Sequence, residues 1–421
     1  MAVVGDPVFP QVTDRNRLLD PDGSPMTVRR SATRSPLSAV SLLALIAIFT
    51  VFPTVVAPAA VTSSVSGTTL TVNGDAAADS ITVTCVDTNV KVNGADPGTG
   101  PATCASIFTI QANRGGGDDN INLSGVSFTS FTALCFVNIS GGDGMDNIAG
   151  SATPDTINGD AGNDMITGNG GDDTLSGGDG LDTVYADVSG TASLSDTQLT
   201  GGGGTDTHSN FEIGSLFGSS GDDVVSASSA TIRAILYGRA GNDQLTGGAA
   251  GDVIWGEDGN DTLVGGLGDD WILPGTGNDT VDGGGGTDTF QQIGASLNLT
   301  DTTASGPVSG DDTLTGIEQA SVSVNKNGFI NASGFSGPTW IEGANGAEGL
   351  AGGSGIDNIE GGGGNDSIRG FGDDDELRGD GGADKIFGGD GNDLLVGGTG
   401  PDTCKGNGGT DRFKTCEVKV R

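Results

Sequence analysis

From Gly141 the chain can be written in rows of nine without a gap: GGDGMDNIA, GSATPDTIN, GDAGNDMIT, GNGGDDTLS and GGDGLDTVY. The same holds from Gly238, through GRAGNDQLT, GGAAGDVIW, GEDGNDTLV, GGLGDDWIL, PGTGNDTVD and GGGGTDTFQ. It holds again from Gly352, through GGSGIDNIE, GGGGNDSIR, GFGDDDELR, GDGGADKIF, GGDGNDLLV, GGTGPDTCK and GNGGTDRFK. Aspartate fills the sixth place in all 18 rows, and the eighth is aliphatic or Phe except at Cys404. A strict period of this kind marks a stack of identical supersecondary units rather than a globular core. Isolated rows stand at GDAAADSIT (Gly74), RGGGDDNIN (Arg114), GSSGDDVVS (Gly218) and PVSGDDTLT (Pro307), and GANGAEGLA at Gly343 is a degenerate row with Glu348 in the Asp place.

Nine residues divide into a turn of six and a strand of three. The glycines are expected to supply positive φ in the turn. In the strand the eighth residue points inward and its neighbours outward. Ile148, Ile157, Ile166, Leu175 and Val184 are expected to stack as one ladder, Leu245 to Val281 as a second and Ile359 to Leu395 as a third. This core is thin for a chain with 78 Gly, whose ordering is costly in backbone entropy. The expected class is all-β: a parallel β-roll or solenoid, with a β-rich segment before it.

Lys and Arg number 18 against 55 Asp and Glu, a formal charge of −37. That excess argues against nucleic acid and anionic membranes as partners. It calls for a cationic one, because carboxylates stacked at coil spacing repel. Asp is also a common turn former, so a metal-free solenoid is the competing reading.

The consensus G-G-x-G-x-D-x-hydrophobic-x resembles the hemolysin-type (RTX) calcium-binding repeat. The resemblance implies two rows per coil of a parallel β-roll, with Ca²⁺ between turns of successive coils, held by the sixth-place Asp and loop carbonyls. Carried onto this chain, Asp146, Asp164 and Asp182 would line one edge, and Asp155 and Asp173 the other. The same alternation runs through Asp243, Asp252, Asp261, Asp270, Asp279 and Asp288. It runs again through Asp357, Asp366, Asp375, Asp384, Asp393, Asp402 and Asp411. One divalent ion per row would bring roughly +36 to a chain of −37. The rows GSATPDTIN, GGAAGDVIW and PGTGNDTVD, which lack a consensus Gly or begin with Pro, are expected to bind weakly, and the Glu348 site is doubtful.

Residues 1–59 read as a leader, with a signal peptide from about Met26. Arg29, Arg30 and Arg34 precede an apolar run that ends in Ala57-Pro58-Ala59, so secretion is expected. A signal-anchor helix is the other reading. The remaining divisions are 60–140 as a β segment, 141–185 as the first repeat block, 186–237 as irregular coils, 238–291 as the second block, 292–342 as irregular coils, and 343–421 as the third block with a cap. The irregular stretches are either coils of one solenoid or small modules joining three rolls. Of five Cys, Cys404 and Cys416 are expected to staple the last coil and Cys85 and Cys104 a hairpin, leaving Cys135 buried. The single histidine, His208, is expected to be a solvated or loop residue, and Trp255, Trp271 and Trp340 to be packing or rim residues rather than a sugar-binding platform. With one His and no G-x-S-x-G, no enzyme is expected. The expected roles are an extracellular calcium-responsive structural or binding module, or a surface adhesin or matrix protein using the roll as a spacer. A cryptic hydrolase is the remote third.

Overall fold

A computed structural model describes residues 61–420 apart from residue 295, so the leader lies outside the described residues. Among these residues there is no α-helix, and the strands are short and parallel for most of the length. Two ladders run side by side through the repeat blocks. In the first, Phe136–Asp143 pairs with Asp155–Ala161, which pairs with Thr174–Asp179. In the second, Asn147–Ala149 pairs with Met165–Thr167, which pairs with Thr183–Asp187. Partners such as Thr156 and Thr174, or Met165 and Thr183, lie 18 residues apart, so one coil consumes two rows.

That geometry corrects the ladder expected from sequence. Ile148, Ile166 and Val184 stack in one sheet, while Ile157 and Leu175 stack in the other. Consecutive rows therefore face each other across the core, and rows two apart stack. All five side chains are buried, as are Leu245 to Val281 and Ile359 to Leu395.

The parallel pairing continues through both irregular stretches. Thr183–Asp187 pairs with Ile213–Phe217 and that with Arg233–Ala240. Thr289–Gln292 pairs with Gln319–Ser323 and that with Thr339–Glu342. Each stretch adds the same device to the first sheet, an antiparallel meander. Thr191–Ser195, Gln198–Gly201 and Gly204–Ser209 form one copy. Leu297–Thr300, Thr303–Gly306 and Gly310–Thr315 form the other.

The first meander holds a row that the nine-residue register skips, GGGGTDTHS from Gly201, nearly identical to GGGGTDTFQ at Gly283. His208 occupies its eighth, inward place. It pairs with Leu175, is buried, and sets its ring edge-on to Phe211, with centroids 5.7 Å apart. The expectation of a solvated loop is corrected: the strand period, not the polarity of imidazole, decides its place. Burial lowers the pKa of its ring. In the second meander Leu314 stands at the matching place, paired with Val281. His208→Leu is expected to raise the melting temperature of the calcium-loaded protein, worth roughly 1 kcal/mol or more from removing a buried polar ring. A lowered melting temperature would mean that the imidazole is hydrogen-bonded into place.

Outside the second sheet, Phe217, Tyr237 and Trp255 stack ring on ring, with centroids 4.3 Å apart at each step. The ring faces cover one another, which fits the packing role expected for Trp255. Trp271 donates its indole N–H to Gln291 Oε1 at 2.8 Å. Cys85 pairs with Cys104 and Cys404 with Cys416. Cys135 is free and exposed, contrary to the burial expected from its apolar neighbours. It lies just before the strand Phe136–Asp143, outside the alternation that buries Val137 and Ile139.

Candidate metal sites

The glycines of a row serve two different needs. Those at the fourth place, such as Gly144, Gly162 and Gly180, have φ of 136°, 145° and 154°, beyond the ready reach of other residues. A Cβ on Gly162 would also strike the carbonyl oxygen of Gly144 one coil earlier. First-place glycines of the three blocks do not have positive φ, which corrects the expectation that every consensus Gly is there for its backbone angle. A Cβ on Gly141 would collide with Asp146 Oδ2 and with the carbonyl oxygen of Gly159 on the next coil. Gly159, Gly238, Gly265, Gly361 and Gly379 meet the same pair of oxygens. Each first-place glycine thus makes room for a carboxylate and a carbonyl to converge.

The sixth-place carboxylates form a column along each edge. Within a column, one oxygen of each carboxylate after the first accepts the backbone N–H of the carboxylate residue one coil before. Asp119 N–H donates to Asp146 Oδ1 at 2.8 Å, Asp146 to Asp164 at 2.8 Å, and Asp164 to Asp182 at 2.8 Å. On the other edge Asp155 donates to Asp173 at 2.8 Å and Asp173 to Asp206 at 3.0 Å. The bonds continue from Asp243 to Asp261 to Asp279 to Asp312, and from Asp252 to Asp270 to Asp288 to Glu318. In the third block they link Asp357, Asp375, Asp393 and Asp411, and Glu348, Asp366, Asp384, Asp402 and Glu417. The alternation expected from the resemblance is the one seen.

The second oxygen divides these residues into two kinds. In Asp146, Asp164, Asp173, Asp182, Asp243, Asp261, Asp270, Asp279, Asp288, Asp366, Asp375, Asp384, Asp393 and Asp402 it is buried without a hydrogen-bond partner. Asp312 and Glu348 share this state. Where a column starts or restarts, the oxygen is instead closed off by an amide four residues back. Ser151 N–H takes Asp155, Gly248 N–H takes Asp252, and Gly353 N–H takes Asp357 at 2.6 Å. Asp223 is held likewise by Ser219 at 2.5 Å. Asp155 and Asp252 belong to rows expected to bind weakly. Asp357 sits in a regular row, and its closed oxygen goes with its position at a column start. Conversely, Asp279 in the Pro-led row and Glu348 both carry an open oxygen. Asp411 ends its column, half-buried.

Burial is the first cause of the carboxyl pKa shifts. It pushes Asp146, Asp261 and Asp270 up to about 7, Asp173 and Asp375 to about 8, and Asp164, Asp279, Asp288 and Asp384 to about 6, with neighbouring column carboxylates adding to most of these. The coil hydrogen bonds oppose the rise without cancelling it. No group of three or more His, Cys, Asp or Glu side chains converges among the described residues. Along each edge the carboxylates come one per coil, and the other oxygens at hand are backbone carbonyls. A hard cation that accepts carbonyls alongside carboxylates fits this donor set; a thiolate- or imidazole-seeking metal does not.

Column residues absent from the strong rows are Asp79, Asp119, Asp206, Glu212, Asp223, Asp312, Glu318, Glu348 and Glu417. Asp79, Asp119, Asp223 and Asp312 stand in isolated rows, Glu348 in the degenerate one and Asp206 in the row from Gly201. Glu212, Glu318 and Glu417 belong to no nonapeptide. They reach the column from outside its register, Glu212 Oε2 accepting from Asp182 N–H at 2.9 Å, and only the folded coil reveals them.

No curated protein matches the chain. The family model for the RTX calcium-binding nonapeptide repeat matches residues 140–175, 160–188, 237–272, 275–290, 351–386 and 387–413. These are the stretches in which the aspartate columns are regular, and the chain accordingly carries RTX calcium-binding nonapeptide repeats, wound as a β-roll, in several copies across residues 140–413.

Proposed function

We propose that this chain is an extracellular calcium-binding protein whose coils fold as ions bind, and that the stiffened roll serves a structural or binding role rather than catalysis. The observation that carries the reading is the open carboxylate oxygen: buried, unpartnered, and repeated coil after coil beside a carbonyl oxygen. A buried polar atom left bare is costly, and a column of them is a cost that bound cations remove. The residues that would hold calcium are the open carboxylates together with first- and fourth-place carbonyls. Calcium would supply charge neutralisation and cross-linking of adjacent turns. Two disulfides and the apolar leader support an oxidising, exported setting. Burial of the only histidine within the core supports a non-enzymatic role.

Calorimetric titration of the chain from residue 60 onward is the test. Several ions per chain are expected, with Kd around 10⁻⁴–10⁻³ M as for other extracellular modules. Asp270→Asn and Asp384→Asn keep the Oδ1 acceptor but neutralise an open site, and each is expected to lower the number of ions bound. Asp252→Asn and Asp357→Asn alter closed carboxylates and are expected to leave it unchanged. Absence of calcium uptake at millimolar concentration would sink the proposal.

A further inference from the structure

One early coil differs from the rest at a single residue. In the row RGGGDDNIN the first place, glycine in nearly every later row, is Arg114. Its Nη1 lies 3.0 Å from Asp79 Oδ2 and 3.9 Å from Asp119 Oδ1, and none of these three side chains has any solvent exposure. Nη2 donates to the Asn120 carbonyl at 3.3 Å. Asp79 and Asp119 are the sixth-place residues of their rows and lead into the first column, Asp79 N–H donating to Asp119 Oδ1 at 2.6 Å and Asp119 N–H to Asp146 Oδ1.

The place that Arg114 fills is the one where oxygens converge elsewhere. Gly74 is the first-place glycine of the Asp79 row, and a Cβ on it would run into Asp79 Oδ2 and into Cδ and Nη1 of Arg114. In later coils the same point meets the Asp Oδ2 and a carbonyl oxygen of the next coil. A positive charge belonging to the chain therefore stands where later coils present two oxygens to each other. A buried guanidinium is tolerable only with carboxylates in place around it, and two are. The surrounding segment is also better built than a repeat block. The Cys85–Cys104 disulfide ties it, and its core holds Val90, Ile107, Leu123, Val126, Phe131 and Leu134 beyond the one inward residue per row.

We infer that Arg114 is the resident cation of the Asp79–Asp119 interval, that this interval takes no calcium, and that residues 61–140 stay folded when calcium is withdrawn. The inference rests on the calcium reading above. The segment then presents a finished sheet end, whose unpaired backbone groups template the coils that calcium completes.

Hydrogen exchange on the whole chain from residue 60, in EGTA and in calcium, tests it. Amides of Thr69–Asn73 and Thr109–Asn113 are expected to exchange slowly in both. Those of Thr262–Leu267 and Lys385–Asp390 are expected to be slow only with calcium. Arg114→Gly restores the consensus glycine and is expected to add one calcium to the titrated number while abolishing protection of residues 61–140 in EGTA. Arg114→Lys keeps a charge and is expected to retain that protection with no added ion. If the wild-type segment exchanges freely in EGTA while later coils respond to calcium, or if Arg114→Gly changes neither measurement, this inference fails and the calcium reading stands. If the later coils are protected in EGTA and no calcium is taken up, both fall.

Discussion

Transfer of the chain into EGTA at pH 7.5 is expected to abolish most of its β-sheet circular dichroism, and addition of 10 mM calcium to restore it. The reason lies in what each row offers. Its apolar contribution is one inward side chain, such as Leu263 or Ile386. Fixing the backbone costs about 1 kcal/mol or more for each residue ordered, and a fully buried Leu or Ile returns about 1.5–3 kcal/mol. Backbone pairing helps, yet each coil also drives one or two carboxylates out of water beside the like charges of neighbouring coils. At neutral pH those groups oppose folding unless a cation joins them. An ion at ten times its Kd contributes about 1.4 kcal/mol per site, and the contributions sum along both columns. The transition should therefore be steep in calcium, with many sites filling as coils add to coils. The signal left in EGTA should come from residues 61–140. A full β spectrum that EGTA leaves untouched would rule out coupled folding, whatever the chain binds.

Much of this was legible from residues alone because the repeat is short and strict. Nine residues with Asp at the sixth place and an aliphatic at the eighth fix the turn, the strand and the two columns. The positions that the repeat does not mark share a cause, which is that coil neighbours are set by stacking and not by sequence distance. Leu175 meets His208 because a meander of antiparallel strands separates them in the chain and a single coil step separates them in space. Glu212 and Glu318 each follow a column neighbour that lies 30 residues away in the chain. The closed state of Asp357 has the same origin. Its row is regular, but the residue one coil earlier is Thr339, whose hydroxyl and N–H hold Asp357 Oδ1, while Gly353 N–H takes Oδ2. A motif defines what a residue can do, and its neighbour on the stack decides whether an oxygen is left to do it.

Acid should replace calcium. Lowering the pH of the calcium-free chain from 7.5 to about 4.5 is expected to recover a large part of the β signal lost in EGTA. The column carboxyls are raised in the folded state, to about 7 for Asp146, Asp261 and Asp270 and to about 8 for Asp173 and Asp375, with burial the leading cause. In the unfolded chain an aspartate titrates near 3.9. The folded form therefore binds more protons across the interval between about 4 and 8, and its stability falls as pH rises through that interval. Read downward, each protonation removes a buried charge and the fold regains what it had lost, most fully as pH approaches the unfolded value. His208 works the other way, since burial lowers its pKa and acid favours the unfolded form, but it is one group against many. Calcium and protons compete for the same oxygens, so the midpoint of the calcium titration should move to higher concentration as the pH falls from 7.5 to 6. The Asp270→Asn and Asp384→Asn chains carry a permanent neutral group in the column and should need less acid to recover their β signal. A calcium-free chain whose spectrum is flat from pH 7.5 to 4.5, with a calcium midpoint indifferent to pH, would mean that the buried carboxylates are not what keeps the empty roll from folding.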